Sequence, residues 1–448
     1  MATIAAGLDH SAAPAAAAAP ATERFEALDF VRGAALFGIL LMNITGFGLP
    51  HAYANPTVWG GAEGANLWAW IITTIGFEGT QRGLFSMLFG AGIILLTSRL
   101  DAAGRTDTAD IYMRRNLWLV AFGIANAYIL LWGGDILFFY GVTALFLFAF
   151  RKLSARLLLI LGLAALLANL AWNAKDAQAT LSMQAAYERA VAAREAGTGL
   201  SDEQTGAIEA WEERIGMFAP PAAQLQAEVR DRTAGYFSAM AQQAAQNVQM
   251  IPFMLYRYFF DVFGMMLIGM ALFKYGVLTL QRPTRLYLAM AAAGYGVGLA
   301  VNLYELELVM GSGFTAAGFA RADVTYDVGR LAMTMGHLAA LMLFVRSGAI
   351  AWFRRALAAV GRMAFTNYLA HSLICLILFV GFGLYGQLER HQLYFVVFAI
   401  WAAQLAISPI WLRHYRFGPL EWLWRYLTYL KRPPLRHTAV PITAAAAA

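Results

Sequence analysis

The chain has 448 residues, of which 60% are hydrophobic and only 13% are charged, whereas soluble domains carry about a quarter charged residues. This composition excludes an ordinary soluble domain and indicates a polytopic membrane protein. Backbone polar groups in lipid must find hydrogen-bond partners within the chain, so apolar runs of about 20 residues are expected to be helices. The sequence therefore predicts an all-α transmembrane helix bundle.

Two further features of the composition narrow the function. The single cysteine, Cys375, lies in an apolar run, so neither an intramolecular disulfide nor a Cys-based metal cluster is expected. The net charge is +6, but the basic residues fall between apolar runs, where membrane topology accounts for them. The lipid bilayer is therefore an expected partner, and nucleic acid is not. The sequence leaves the oligomeric state open.

In chain order, the sequence divides into six parts. They are a disordered Ala- and Pro-rich leader (1–22), an N-terminal membrane bundle of five spans (23–173), an extracytoplasmic helical cap (174–250), a C-terminal bundle of five spans (251–412), a cytoplasmic interfacial helix (413–436) and a disordered tail (437–448). The ten spans are expected near 30–47, 83–98, 116–132, 136–150, 157–172, 254–273, 286–303, 330–345, 363–383 and 394–412. A further apolar stretch at 66–77 is too short to span comfortably, so it is expected to lie in the interface or to re-enter.

The distribution of basic residues predicts the orientation. Twenty-one Lys and Arg residues precede the first span, follow the last span or lie in alternate connections, whereas the opposite short connections hold only Arg321 and Arg390. Short basic loops stay in the cytoplasm. We therefore expect a multi-pass protein of the bacterial cytoplasmic (inner) membrane with both termini inside.

The long connection at 174–250 is expected outside. It holds ten acidic and six basic residues, and long segments translocate largely regardless of charge. Ser201 and Gln204 form a capping-box pattern that predicts a helix start, and Pro220 and Pro221 predict its end. At the other end of the chain, aromatic and basic residues in GPLEWLWRYLTYLKRPPL predict a helix lying at the cytoplasmic interface.

The first span, LDFVRGAALFGILLMN, carries three polar residues. Asp29 and Arg32 are three apart and share one helix face, so they can pair. Asn43 follows Arg32 by eleven residues, about three turns, and lies on the same face near the outer end. The structural interpretation is a salt bridge at the inner headgroups and a packing hydrogen bond, whereas the functional interpretation is a working face.

Four later spans begin with charges in or near their first turns at the predicted outer side. These residues are Arg82, Asp135, the pair Arg257 and Asp261, and the pair Asp327 and Arg330. With Glu78 and His51 they are candidates to line one polar vestibule that binds a substrate or donor. The alternative for each is that it marks the headgroup boundary. His337 shares the face of Arg330 and is either a proton carrier or a hydrogen-bonded core residue.

The chain lacks a phosphate-binding loop, HExxH, GxSxG and any His/Cys cluster with metal spacing. No metal site and no bound cofactor are therefore expected.

Six motifs carry a resemblance to a known family. They are RFEALDFVRGAALFGILLMNI, FEGTQRGLFSMLFGAG, WGGDILFFYG, FDVFGMMLIGMAL, GRMAFTNYLAHSLI and FGPLEWLWRYLTY. Together they resemble, in order, the bacterial YeiB-like membrane proteins, catalogued as a domain of unknown function. The resemblance covers about 24–172 and 250–432 and implies the same helix bundle.

The first helix also resembles the integral-membrane acyltransferases, whose opening pattern LDxxRGxAxxxxxxxH falls here on Asp29, Arg32 and, at the terminal His, on Asn43. The heparan-alpha-glucosaminide N-acetyltransferase branch is similar in having an Asn there and its His further along, where this chain has His51. The resemblance implies His51 as catalytic base or acyl carrier, Asn43 as a positioning group, and Asp29 with Arg32 as a cytoplasmic contact for an acyl-CoA donor. The acceptor would be an envelope glycan or lipid.

A transporter for a small solute is the alternative hypothesis. Its basis is the ten predicted spans, the outer polar vestibule and the histidines His337 and His371, which lie deep in predicted spans.

Overall fold

The computed structural model describes residues 21–197 and 199–437. The predicted disordered leader therefore lies outside the described residues except for its last two positions, which already belong to the first helix. The predicted tail at 437–448 likewise lies outside them except for its first residue.

The described chain is all-α, as predicted, and it contains sixteen α-helices. They are α1 (Ala21–Gly48), α2 (Gly64–Phe77), α3 (Thr80–Ala102), α4 (Thr108–Tyr128), α5 (Leu137–Leu147), α6 (Ala155–Glu195), α7 (Asp202–Phe218), α8 (Ala222–Thr233), α9 (Tyr236–Lys274), α10 (Thr284–Gly311), α11 (Ala316–Asp323), α12 (Tyr326–Ser347), α13 (Ala351–Arg362), α14 (Ala364–Cys375), α15 (Arg390–His414) and α16 (Pro419–Tyr429). A short 3₁₀ turn follows α5 at Phe148–Phe150, and a π-helical turn extends α14 over Leu376–Gly381.

Eight helical stretches in the described part of the chain are long and apolar enough to cross a membrane. A shorter apolar stretch, Leu137–Phe150, covers the predicted span at 136–150. The predicted span at 116–132 corresponds to α4, which is not among the eight. The helices thus confirm the bundle, whereas the count of ten spans and their orientation stay predictions.

The segment at 174–250, which we call the cap, is joined to the rest of the chain by two long helices. Helix α6 has 41 residues and α9 has 39, so the predicted boundaries at 173/174 and 250/251 fall inside continuous helices. Helices α7 and α8 lie between them in sequence. The capping box at the start of α7 is present: the Gln204 backbone N–H donates to Ser201 Oγ at 3.3 Å, and the Ser201 backbone N–H donates to Gln204 Oε1 at 3.0 Å.

Helices α3 and α9 cross at a pair of glycines. A methyl group on Gly90 would overlap the carbonyl oxygen of Met266, and one on Gly269 would overlap that of Met87. The two backbones therefore approach as closely as glycine permits, which is a recurrent way to pack helices in membranes. Arg82 lies eight residues before Gly90, and Asp261 lies eight residues before Gly269, so this crossing also sets the distance between these two polar residues.

The C-terminal helix α16 is tied to the bundle through an acidic residue. Glu421 Oε1 accepts hydrogen bonds from the backbone N–H groups of Phe365 at 2.8 Å and Thr366 at 3.0 Å, at the start of α14. Its Oε2 accepts from the Thr366 hydroxyl at 2.5 Å. A carboxylate at a helix N-terminus satisfies free N–H groups and complements the helix dipole. Glu421 thus acts as the cap of α14.

Candidate functional site

A cavity of about 290 Å³ lies within the bundle, bordered by α1, α2, α3, α6, α9, α10, α11, α12 and α15. Its charged lining residues are Glu78, Arg82, Arg257, Asp261, Glu305, Asp323, Asp327, Arg330 and Arg390. Four tyrosines also line it, namely Tyr53, Tyr258, Tyr326 and Tyr394. Charged groups inside an apolar bundle are costly and usually serve a site. We therefore take this cavity as the candidate functional site.

Arg330 is the hub of a cluster of charges in the cavity wall. Its side chain is only 1% exposed, and Nη2 forms ion pairs with Asp261 Oδ1 and, at 3.2 Å, with Asp327 Oδ1. Asp327 Oδ2 accepts hydrogen bonds from Asn169 Nδ2 at 2.8 Å and Asn173 Nδ2 at 2.9 Å. Both Asp327 oxygens are thus engaged by protein groups, so this cluster holds the wall of the cavity in place.

Arg82 is the accessible cation of this cluster. Its side chain is 26% exposed, and its Nε lies 3.6 Å from Asp261 Oδ2. Nη2 donates a long hydrogen bond of 3.4 Å to the Tyr326 hydroxyl, and the guanidinium lies 5.1 Å from the centroid of the Tyr258 ring. Arg82 is therefore held by its neighbours, while part of its guanidinium remains available to a bound molecule.

A break between α2 and α3 brings Glu78 to the cavity. Gly79 has a φ of 66° and ends the helical path of α2. A methyl group on Gly79 would overlap the Tyr326 hydroxyl, so glycine is required here for space as well as for conformation. The Tyr326 hydroxyl donates to Glu78 Oε1 at 3.4 Å.

The predicted vestibule residues fall into two groups. Arg82, Arg257, Asp261 and Arg330 all line the cavity, as do Glu78 and Asp327. Asp135 does not: it accepts hydrogen bonds from Asn126 Nδ2 and from the Phe138 backbone N–H, both at 2.8 Å, and so caps the start of α5.

His337 also lies away from the cavity lining. Its Nε2 is 2.6 Å from the Gly76 carbonyl oxygen, and its Nδ1 is 2.9 Å from the Tyr295 hydroxyl. This histidine therefore links α12 to α2 and α10.

The polar residues of the first helix lie toward its two opposite ends. Arg32 Nη1 donates to Asp29 Oδ1 at 2.6 Å near the start of α1. Asn43 is half-buried near the other end and is not part of the cavity lining, although Met42 and Thr45 are. Asp29, Arg32 and Asn43 of the acyltransferase pattern are thus not brought together with His51 in one cavity.

His51 instead pairs with the cap. Its Nδ1 lies 3.0 Å from Glu228 Oε2 in α8, and the Tyr385 hydroxyl donates to Glu228 Oε1 at 2.5 Å. His51 adopts a φ of 49°, a conformation that non-glycine residues seldom adopt and that is often found at functional sites. Sequence reasoning missed Glu228, because the two residues are 177 positions apart and nothing local links them.

Asn169 and Asn173 were also missed, although the sequence carries a sign of them. They are four residues apart and so share one face of α6. Two amides on one face at the end of an apolar run predict a polar contact inside the bundle. That contact is Asp327.

The His51–Glu228 pair predicts a pH-dependent attachment of the cap. The hydrogen bond to Glu228 raises the pKa of His51 above its ordinary value. Burial acts to raise the pKa of Glu228, but the hydrogen bonds from His51 and Tyr385 outweigh it, and the pKa is lowered. The stabilisation from His51 is therefore lost as pH rises through its raised pKa, and that from Glu228 is lost as pH falls through its lowered pKa.

We expect amide hydrogen exchange in α8, corrected for intrinsic rates, to be slowest at mildly acidic pH and to increase toward pH 9. The variant His51→Gln should remove this dependence, whereas His391→Gln should retain it. Equal protection of α8 in the wild-type protein from about pH 6 to 9 would contradict the prediction.

Comparisons with known proteins find a family model and close-length relatives of this chain. A family model described as "Protein of unknown function (DUF418)" matches residues 272–431. The uncharacterized protein YeiB of Escherichia coli (strain K12) is 31% identical over 417 residues, which are 91% of this chain and 96% of that protein. The uncharacterized protein YxaH of Bacillus subtilis (strain 168) is 28% identical over 436 residues, which are 92% of this chain and 96% of that protein.

No solved structure matches the chain. The YeiB-like resemblance of the six motifs is confirmed by these relatives, whereas the acyltransferase resemblance of the first helix stays a prediction. The chain belongs to the YeiB-like family of uncharacterised proteins with a DUF418 region.

Proposed function

We propose that the protein binds a small polar solute in the cavity and carries it across the bacterial cytoplasmic membrane. The observation that carries this proposal is the cavity itself, whose charged lining includes the partly exposed side chain of Arg82. Maintaining such a group in a membrane is costly, so a binding role accounts for it better than packing does.

The size and charge of the cavity limit the solute. A volume of about 290 Å³ lies at the lower end of ligand pockets, which measure roughly 300–1,000 Å³. Four arginines face five carboxylates in its lining, so the cavity has little net charge. Both features favour a metabolite-sized solute with polar or charged groups and exclude a large polymer.

The test is uptake by the full-length protein in proteoliposomes, with labelled pools of small amino acids, organic acids, phosphate esters and polyols. We expect label from at least one pool to accumulate inside the proteoliposomes. Arg82→Gln should lower its uptake about tenfold or more, because a hydrogen bond from a charged donor contributes about 1.5–3 kcal/mol.

The matched control is Arg105→Gln. Arg105 is an exposed arginine that pairs with Asp107 at 2.6 Å, away from the cavity lining. Uptake should remain at the wild-type rate in this variant. Absence of uptake from every pool, or an equal loss in both variants, would contradict the proposal.

Acyl transfer from a cytoplasmic acyl-CoA is the second candidate function, favoured by the His51–Glu228 pair. A histidine whose Nδ1 is held by a carboxylate presents Nε2 as a general base, an arrangement used in nucleophilic catalysis. At the opposite end of α1 from His51, Arg32 and Arg425 are charged neighbours of Arg115 in α4. These three arginines would suit the phosphates of acyl-CoA.

Radiolabelled acetyl-CoA tests this second candidate. The donor is supplied to the full-length protein in native membranes, and label is followed into glycan and lipid fractions. Loss of transfer in His51→Gln but not in His391→Gln would support a role for His51. Equal transfer in both variants, or none in the wild-type protein, would reject it.

A further inference from the structure

The cavity has two electrically different regions. At one, Arg82 and Arg330 share the Asp261 carboxylate, and Glu78 is a further acidic neighbour of Arg82. At the other, Glu305 of α10 has Asp323 as its nearer acidic neighbour and Asp327, which is itself paired with Arg330, as a second one. Both regions belong to the lining of the same cavity. A single bound molecule therefore meets a cationic group and an anionic group.

The cationic region has hydrogen-bond donors to spare. Asp261 is the carboxylate shared by both arginines, and the Arg82 Nε is buried without a hydrogen-bond acceptor in the described structure. Among the described residues, the Arg82 side chain donates one hydrogen bond, of 3.4 Å, to the Tyr326 hydroxyl. An anionic group of a bound molecule would supply the acceptors that the protein does not. Arginine is well suited to this because its planar donors match carboxylate and phosphate oxygens.

In the anionic region, Glu305 forms no ion pair with any of the described residues. The Thr325 hydroxyl donates to Glu305 Oε1 at 2.7 Å, which leaves Oε2 without a hydrogen bond among the described residues. Arg257 is a charged neighbour of Asp323 and Asp327, and its Nη2 donates to Asn173. A half-buried carboxylate beside like charges is unfavourable. An ammonium group of a bound molecule would remove that cost.

We propose that the solute is a small zwitterion, with an ammonium group held by Glu305 and a carboxylate group held by Arg82. The charged lining residues are four arginines and five carboxylates, so a zwitterion leaves the formal charge of the lining unchanged, whereas a simple anion would add to its excess of negative charge and a simple cation would leave the Arg82 donors without an acceptor. This inference rests on the proposed solute-binding function and narrows its substrate class.

The test uses matched probes on the purified full-length protein. The zwitterions are β-alanine, γ-aminobutyrate and 5-aminovalerate. The singly charged analogues are propionate, butyrate, valerate and the corresponding alkylamines. Each is added at the same concentration, and thermal unfolding is followed, because a ligand that binds the folded state raises the unfolding temperature. At least one zwitterion is expected to raise it more than either of its analogues.

Two variants and one control locate the effect. Glu305→Gln should weaken affinity for the zwitterion about tenfold or more and leave that for the anionic analogue within about twofold. Arg82→Gln should weaken both. The control is Glu307→Gln. Glu307 lies on the same helix as Glu305, is exposed and does not line the cavity, so this variant should bind the probes as the wild-type protein does.

The outcomes separate this inference from the function on which it rests. If an anionic analogue protects as well as its zwitterion, and Glu305→Gln changes neither, the zwitterion assignment is wrong while solute binding stands. The zwitterion assignment is also wrong, and solute binding stands, if Arg82-dependent uptake is found only for an uncharged or anionic pool. If no probe protects and no pool is taken up, both are wrong.

Discussion

Replacing Arg330 with Met is expected to lower the stability of the folded protein by about 3–5 kcal/mol, the usual cost of removing one partner from a buried charge cluster. The Arg330 side chain is 1% exposed, and those of Asp261 and Asp327 are 3% and 4% exposed. The substitution leaves two carboxylates in the interior without their shared cation. The measurement is the unfolding temperature of the purified protein in detergent, together with the folded fraction after extraction.

Neutralising the Asp261 and Asp327 carboxylates should restore much of the stability that Arg330→Met loses. In the triple variant with Asp261→Asn and Asp327→Asn, we expect a higher unfolding temperature than in Arg330→Met alone, because neutral amides cost less to bury than unpaired carboxylates. The control is Arg321→Met on α11, an exposed arginine for which a change within about 0.5 kcal/mol is expected. If Arg330→Met and Arg321→Met unfold at the same temperature, Arg330 is not the hub of the wall.

The proximity of Arg82, Asp261 and Arg330 was accessible to sequence reasoning for a simple physical reason. Each lies near the predicted outer end of an apolar run, and charges at that depth turn away from lipid toward neighbouring helices. The same reasoning placed Asp135 and His51 with them, but both find closer partners. Asp135 is held by the start of its own helix, and His51 by the cap.

What sequence reasoning could not supply was tertiary pairing across long separations and the continuity of long helices. Helices α6 and α9 continue past the apolar spans because the adjoining polar segments are rich in Ala and Gln, which favour helix. The hydrophobic pattern predicts only the ends of the apolar stretch, whereas the helix itself ends where the helix propensity of the following residues falls. Glu421 is a similar case: its partner is a helix start more than 50 residues earlier, which no local pattern announces.

The glycine crossing of α3 and α9 predicts the second large effect, because it sets the position of the cavity wall. Gly90→Val and Gly269→Val would each place side-chain atoms where the partner backbone lies, at Met266 and Met87 respectively. Overpacking of this kind costs about 1–3 kcal/mol or more. It also moves apart the helices that carry Arg82 and Asp261 eight residues earlier. We expect loss of unfolding temperature together with loss of Arg82-dependent uptake.

Gly92 provides the matched control on the same helix, because nothing lies within 4 Å of the position where its side chain would begin. Gly92→Val should therefore stay within about 0.5 kcal/mol of wild type and keep full uptake. Equal behaviour of Gly90→Val and Gly92→Val would mean that the close approach does not hold α3 and α9 in place. Stability lost at Gly90 with uptake intact would mean that the wall of the cavity does not depend on the crossing. We expect Gly90→Val and Gly269→Val to lower both the unfolding temperature and the uptake, and Gly92→Val to change neither. That result would show that the close packing at the two glycines positions Arg82, the cation that we propose binds the solute.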